Sequence, residues 1–101
     1  RIMRRVVLKK KTTGGQILIH IDNYTTKEQE ITLYDISADS AEDANIPPTF
    51  VSEMDGEYTK LWKFTLAGGE SFEVTYSGEG GGLIQMQGVA ENLKVEVDLD
   101  V

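Results

Sequence analysis

Cysteine is absent from the 101 residues, and histidine and tryptophan each occur once. Without cysteine there is no disulfide, no thiolate metal site and no cysteine nucleophile. That composition is compatible with a reducing compartment, and a cytoplasmic location is the expectation. No apolar run approaches the roughly 18 residues that a membrane helix requires, so no membrane partner is expected. A basic opening is followed by no apolar stretch of the signal-peptide kind. The chain opens on Arg1 rather than methionine, and its last alternating pattern runs to Val101, so it reads as a piece of something larger. Its length suits one domain, 1–101, and is enough to build a core without staples.

Positive charge is scarce after the first residues. Arg1, Arg4, Arg5, Lys9, Lys10 and Lys11 hold six of the ten basic side chains. Residues 12–101 then carry four lysines against 17 acids, a balance of −13 within a net charge of −7. Such a body repels a phosphate backbone. Any contact with DNA would fall to the six basic residues of a lead-in, 1–11, arriving from a preceding domain. The plainer reading of those six is a solvated linker or a strand with protective lysines.

Alternation dominates what remains. Ile17, Ile19 and Ile21 share one face of a strand over 16–23, after a Gly14-Gly15 turn. Ile2, Met3, Val6 and Val7 also fit helical spacing, so 1–8 could end a helix; a strand is preferred for 6–11 before that turn, and 1–5 stay open. A strand over 30–36 places Ile31 and Leu33 together, then switches parity at Tyr34 and Ile36, as at a bulge or at the strand's end. Ser40 and Asp43 have capping-box spacing, which suggests one helical turn. Pro47-Pro48 leads into an extended Thr49-Phe50-Val51. Asp55-Gly56 marks a turn before Tyr58–Leu66, where Trp62, Phe64 and Leu66 share a face. Phe72, Val74 and Tyr76 alternate in the next strand, and glycines at 78 and 80–82 lead into 83–87. Leu93, Val95, Val97, Leu99 and Val101 alternate with charged residues, one face buried and one charged, the signature of an antiparallel strand. The fold class is therefore all-β: an immunoglobulin-like antiparallel β-sandwich of seven to eight strands.

Candidate chemistry is thin. His20 lies at outward parity with no nucleophile near it in sequence, so a catalytic triad is not expected. Asp35, Asp39, Glu42 and Asp43 cluster without the alternate-position spacing of a calcium loop; a solvated acidic loop is the simpler reading, and a weak cation site the other. The glycine run lacks a Gly-Lys-Ser/Thr ending and is followed by a strand, so it is no phosphate loop. Asn23-Tyr24-Thr25 matches a glycosylation sequon, relevant only to a secreted chain. Leu18, Tyr24, Tyr34, Met54 and Met86 are apolar or aromatic residues whose burial the pattern leaves open. No catalytic, cofactor-binding or metal-binding residue is assigned.

The segments Ile21-Asp22-Asn23, Ile31-Thr32-Leu33-Tyr34-Asp35-Ile36 and Leu61 through Tyr76, with Leu66-Ala67-Gly68-Gly69-Glu70 at its centre, resemble immunoglobulin-like modules of archaea over about 60 residues. With Arg1-Ile2-Met3-Arg4-Arg5-Val6-Val7-Leu8 in front, the whole chain resembles the C-terminal end of the B subunit of archaeal DNA topoisomerase VI. That resemblance implies an accessory, non-catalytic domain of an enzyme that passes one DNA duplex through another. It implies that ATP and magnesium belong to other parts of the parent, with no cofactor in this domain. The implied partners are other domains of the same subunit or the A subunit. An immunoglobulin-like module of an archaeal cell-surface protein is the alternative.

Overall fold

The computed structural model describes residues 5–88 and the strand at 93–99. Eight strands run in chain order: β1 (Val6–Thr13), β2 (Gln16–Asn23), β3 (Gln29–Ser37), β4 (Phe50–Met54), β5 (Glu57–Leu66), β6 (Ser71–Ser77), β7 (Leu83–Gly88) and β8 (Leu93–Leu99). They form two four-stranded sheets with orders β6-β2-β1-β8 and β4-β5-β3-β7. Every pairing is antiparallel except β1 with β8, which is parallel. The expected β-sandwich stands, and the strand expected over 6–11 is β1. The alternation expected through Val101 includes side chains outside the described residues, although β8 itself is in place.

Local chemistry sets the hairpins. Gly14 and Gly15 (φ 57° and 78°) join β1 to β2, and Asp55 and Gly56 (φ 52° and 80°) join β4 to β5. Two consecutive positive φ angles in a two-residue loop match the right-handed twist of the flanking strands. The inward residues of both sheets then meet. Val6, Leu8, Ile17, Ile19, Ile21, Ile31, Leu33, Trp62, Leu66, Val74, Tyr76, Ile84 and Met86 are buried in one core cluster. Trp62 and Tyr76 stack across it at 6.4 Å, and the Trp62 indole N–H donates to the Ile46 carbonyl at 2.8 Å. Phe64 and Phe72 stack face to face at 3.8 Å, half-buried.

Two local expectations fail. No bulge interrupts β3: its inward parity continues as Gln29, Ile31, Leu33, Asp35 and Ser37, all buried. Following apolar residues alone produces the parity switch, whereas this strand keeps its register by turning an aspartate inward. Nor does a helical turn form around Ser40–Asp43. The segment makes one tight turn, with Ala44 N–H on the Ala41 carbonyl at 3.2 Å. Asp43 spends its carboxylate on Ser77 of β6 instead of capping a helix.

Candidate functional site

The most concentrated chemistry is buried. Lys10 of β1, Asp35 of β3, and Lys60 and Tyr76 of β5 and β6 converge at one end of the sandwich. Lys10 Nζ donates to Asp35 Oδ1 at 2.8 Å, the Tyr76 hydroxyl donates to Asp35 Oδ2, and Lys60 Nζ lies 3.8 Å from that same oxygen. Lys60 also donates to Ser37 Oγ at 2.8 Å and to the Asp39 carbonyl, and its ammonium sits 5.4 Å from the Tyr76 ring centroid. Asp35 and Lys60 are 0% exposed and Lys10 is 1% exposed. Burial pulls the Lys60 ammonium below the usual lysine range against the opposing charge of Asp35. Burial first, and then Asp35, push the Tyr76 hydroxyl far above the usual range. A fully enclosed set has no room for a substrate. Its arrangement is that of a satisfied polar core, in which ions removed from water must be paired.

The acidic loop is dismantled by the fold. Asp35 is in the core. Asp39 faces the glycine loop and accepts from the backbone N–H groups of Glu79 and Gly80, each at 2.9 Å. A Cβ on Gly78 would collide with the Asp39 carboxylate, and one on Gly82 would collide with the Ile36 carbonyl oxygen. Close approach is thus the reason for these glycines. Asp43 accepts from the Ser77 N–H and hydroxyl, contacts that hold its carboxyl below the usual range. Among the described residues, no group of three or more metal-ligating side chains comes together.

His20 sits on the outer face of the first sheet between two carboxylates. Its Nε2 is 3.0 Å from Asp22 Oδ1 and its Nδ1 is 3.0 Å from Glu73 Oε2. Partial burial lowers the imidazole's pKa, but the bonds to Glu73 and Asp22 outweigh it and the net shift is upward. Partial burial raises Asp22, yet the bonds from Ser71, His20 and Tyr24 carry it below the usual carboxylate range. The order is Ser71, Asp22, His20: the serine hydroxyl faces a carboxylate rather than the imidazole, and no base activates it.

Asn23 is 1% exposed. Its amide donates to the carbonyls of Lys27, Leu66 and Ala67 at 2.9 to 3.1 Å, and its Oδ1 accepts from the Thr25 N–H and hydroxyl. Gly69 and Glu70 exchange backbone bonds with Asn23. The strand-ending asparagine and the Leu66–Glu70 turn are therefore one structural lock. The amide nitrogen a glycan would need is consumed by it, which removes the sequon's support for a secreted module.

Of the six basic lead-in residues, Arg1 and Arg4 lie outside the described residues. Arg5 is half-buried, Lys9 and Lys11 are exposed on β1, and Lys10 is turned into the core. Lys10 therefore offers no charge to DNA or to a partner. Charge alone hides its role and that of Lys60, although a parity signal is present: Lys10 follows Val6 and Leu8 at spacing two, Lys60 precedes Trp62, and Asp35 follows Ile31 and Leu33.

The opposite kind of surface lies on the second sheet. All five residues of β4 are exposed, with Phe50 at 58% and Met54 at 78%. Register puts Phe50, Leu61, Tyr34 and Gln85 in one row across the sheet, and Ser52, Thr59, Ile36 and Leu83 in the next. Leu83 is 51% exposed, whereas Leu61, Tyr34 and Ile36 are half-buried. Of the residues whose burial the pattern leaves open, Met86 is core, Leu18 and Tyr34 are half-buried, and Tyr24 and Met54 are exposed.

Comparison with known proteins matches residues 1–96 to the family model of the C-terminal domain of the type 2 DNA topoisomerase 6 B subunit. The chain belongs to that family. No curated protein matches it. Membership accords with the resemblance drawn from Arg1–Leu8 and the strand motifs. In this topoisomerase 6 domain, the motif residues around Asn23 and Leu66–Glu70 turn out to be scaffold. Among its described residues, no helix is long and apolar enough to cross a membrane.

Proposed function

We propose that this domain is a non-catalytic accessory module of the topoisomerase 6 B subunit and works through protein contacts. The observation that carries the reading is the contrast between its consumed polar groups and its open apolar edge. Asp35, Lys10, Lys60, Asp39 and Asp43 each serve an internal bond, while β4 and the Phe50–Leu61–Tyr34 row face outward. The strand order supports an immunoglobulin-like description, with β2 and β6 paired in one sheet and β3 and β7 in the other. ATP and magnesium belong to other parts of the parent enzyme. They do not fit this domain, whose glycine loop gives its amides to Asp39. Contact with the A subunit or with other domains of its own subunit, inside the cytoplasm, is the expected setting. DNA contact is left to Arg1, Arg4, Arg5, Lys9 and Lys11, against the repulsion of an acidic body.

The test is deletion of this domain from the parent subunit, followed by co-purification with the A subunit and a decatenation assay. Loss of assembly or of strand passage, with folding of the remaining chain retained, supports the reading. Unchanged assembly and unchanged decatenation would sink it.

A further inference from the structure

The two sheets end in edges that the chain treats differently. The free edge of β6 is covered by the segment between β3 and β4. Asn45 N–H donates to the Thr75 carbonyl at 3.1 Å, and Asn45 Oδ1 accepts from the Thr75 N–H at 2.8 Å. Two residues further along β6, the Ser77 N–H donates to Asp43. The Asn45 backbone amide and the side chains of Asn45 and Asp43 thus satisfy the groups that a further strand would otherwise pair with. The outer edge of β4 receives no such cover. It is the last strand of its sheet among the described residues, and none of their loops or side chains hydrogen-bonds its far side. An uncovered edge is a template for another strand.

Charge around that edge has one sign. Glu53 lies within β4, Asp55 in the turn and Glu57 opposite Met54, all exposed. The nearest exposed cation on β5 is Lys63, six residues past Glu57. A second copy of the chain pairing β4 with β4 would bring two such acid sets together, which opposes a homodimer.

Resting on the protein-contact reading above, we propose that β4 is a strand-addition site for an extended, basic polypeptide segment. The segment pairs its backbone with Phe50–Met54. It sets apolar side chains beside Phe50, extending the Phe50–Leu61–Tyr34 row, and turns its alternate lysines or arginines to the opposite face beside Glu53, with Asp55 and Glu57 adding negative charge at the turn. Backbone bonds supply affinity in this mode of recognition, and alternate side chains supply selectivity.

The probe is a seven-residue peptide of alternating lysine and valine, with an alternating glutamate–valine peptide as its counterpart. Each is titrated into the 101-residue chain with amide hydrogen exchange read residue by residue. The basic peptide binds about tenfold more tightly at low salt, and the difference shrinks as salt is added. Exchange slows about tenfold at amides within 50–54 and not along β6. Glu53→Lys with Glu57→Lys, both at exposed positions, reverses the preference between the peptides. Three results would overturn the proposal: no protection within 50–54, equal binding of both peptides, or protection of β4 that rises with chain concentration alone, which marks a second copy as occupant. Failure here leaves the deletion test untouched. An unchanged deletion mutant would instead remove the accessory reading while the peptide result stood.

Discussion

The edge strands β6 and β4 are built from similar material and finished differently. β6 carries Val74 and Tyr76 into the core, packs half-buried Phe72 against it, and has its rim closed by Asn45 and Asp43. β4 sends no residue into the core and has its rim open. Covering an edge requires a connection long enough to reach it. The segment 38–49 runs past β6 before β4 begins, whereas β4 and β5 are joined by only Asp55 and Gly56. One stretch of loop therefore serves one edge, and the other edge is left to solvent or to a partner.

Both edges hang on a frame that joins the two sheets, and Asp35 is where that frame is most exposed to damage. Asp35→Ala leaves Lys10 and Lys60 buried without their carboxylate. The expected cost is about 3–5 kcal/mol, read by denaturant unfolding, and both edges should lose definition together. Replacing Lys10 and Lys60 by methionine in the same variant should restore much of that loss, because the uncompensated charges go with them. If Asp35→Ala costs nothing measurable, the cluster does not carry the frame.

Opening the covered edge is the next largest change. Asn45→Ala removes the acceptor of the Thr75 N–H, with an expected cost of about 1–2 kcal/mol. Sedimentation should also show self-association that the parent chain lacks, through the newly bared β6. A variant that loses stability but remains monomeric would mean that Asn45 serves packing and not edge protection.

Smaller still is the pH dependence contributed by His20, which reaches the edge strand through Glu73. Its pKa is raised in the folded chain, so its contribution is fully present below the unfolded value of about 6.5 and is lost as pH rises through the folded pKa. The stability difference between the parent and His20→Gln should shrink across that window. A difference independent of pH would assign His20 a packing role only.

The smallest effect on stability is expected at the open edge. Phe50→Ser and Met54→Ser, at exposed positions, should each change unfolding free energy by about 0.5 kcal/mol or less, while lowering the binding of an apolar dye. A large stability loss from either would mean that β4 supports the domain's own packing.

Much of the scaffold is legible because strand periodicity is simple. Ile17, Ile19 and Ile21 fall where alternation puts them, as do Trp62, Phe64 and Leu66 and the turns at Gly14-Gly15 and Asp55-Gly56. Periodicity misleads in β3 after Leu33 because a carboxylate at inward parity looks like a polarity change. Only its distant partners Lys10 and Lys60, 25 residues away on either side, make that position tolerable. The same holds for Asn23, whose sequon is local while its bonds to Leu66 and Ala67 are not.

By itself, the sequence determined an all-β sandwich with an acidic body, since alternation, turn residues and composition act over a few neighbours at a time. The tertiary structure alone decided which charges are buried and paired, which acid fills the glycine loop, and which sheet edge stays open. Those outcomes depend on groups far apart in the chain meeting in a medium where an unpaired ion or amide is costly, and β4 is an edge that no hydrogen bond from the described residues covers.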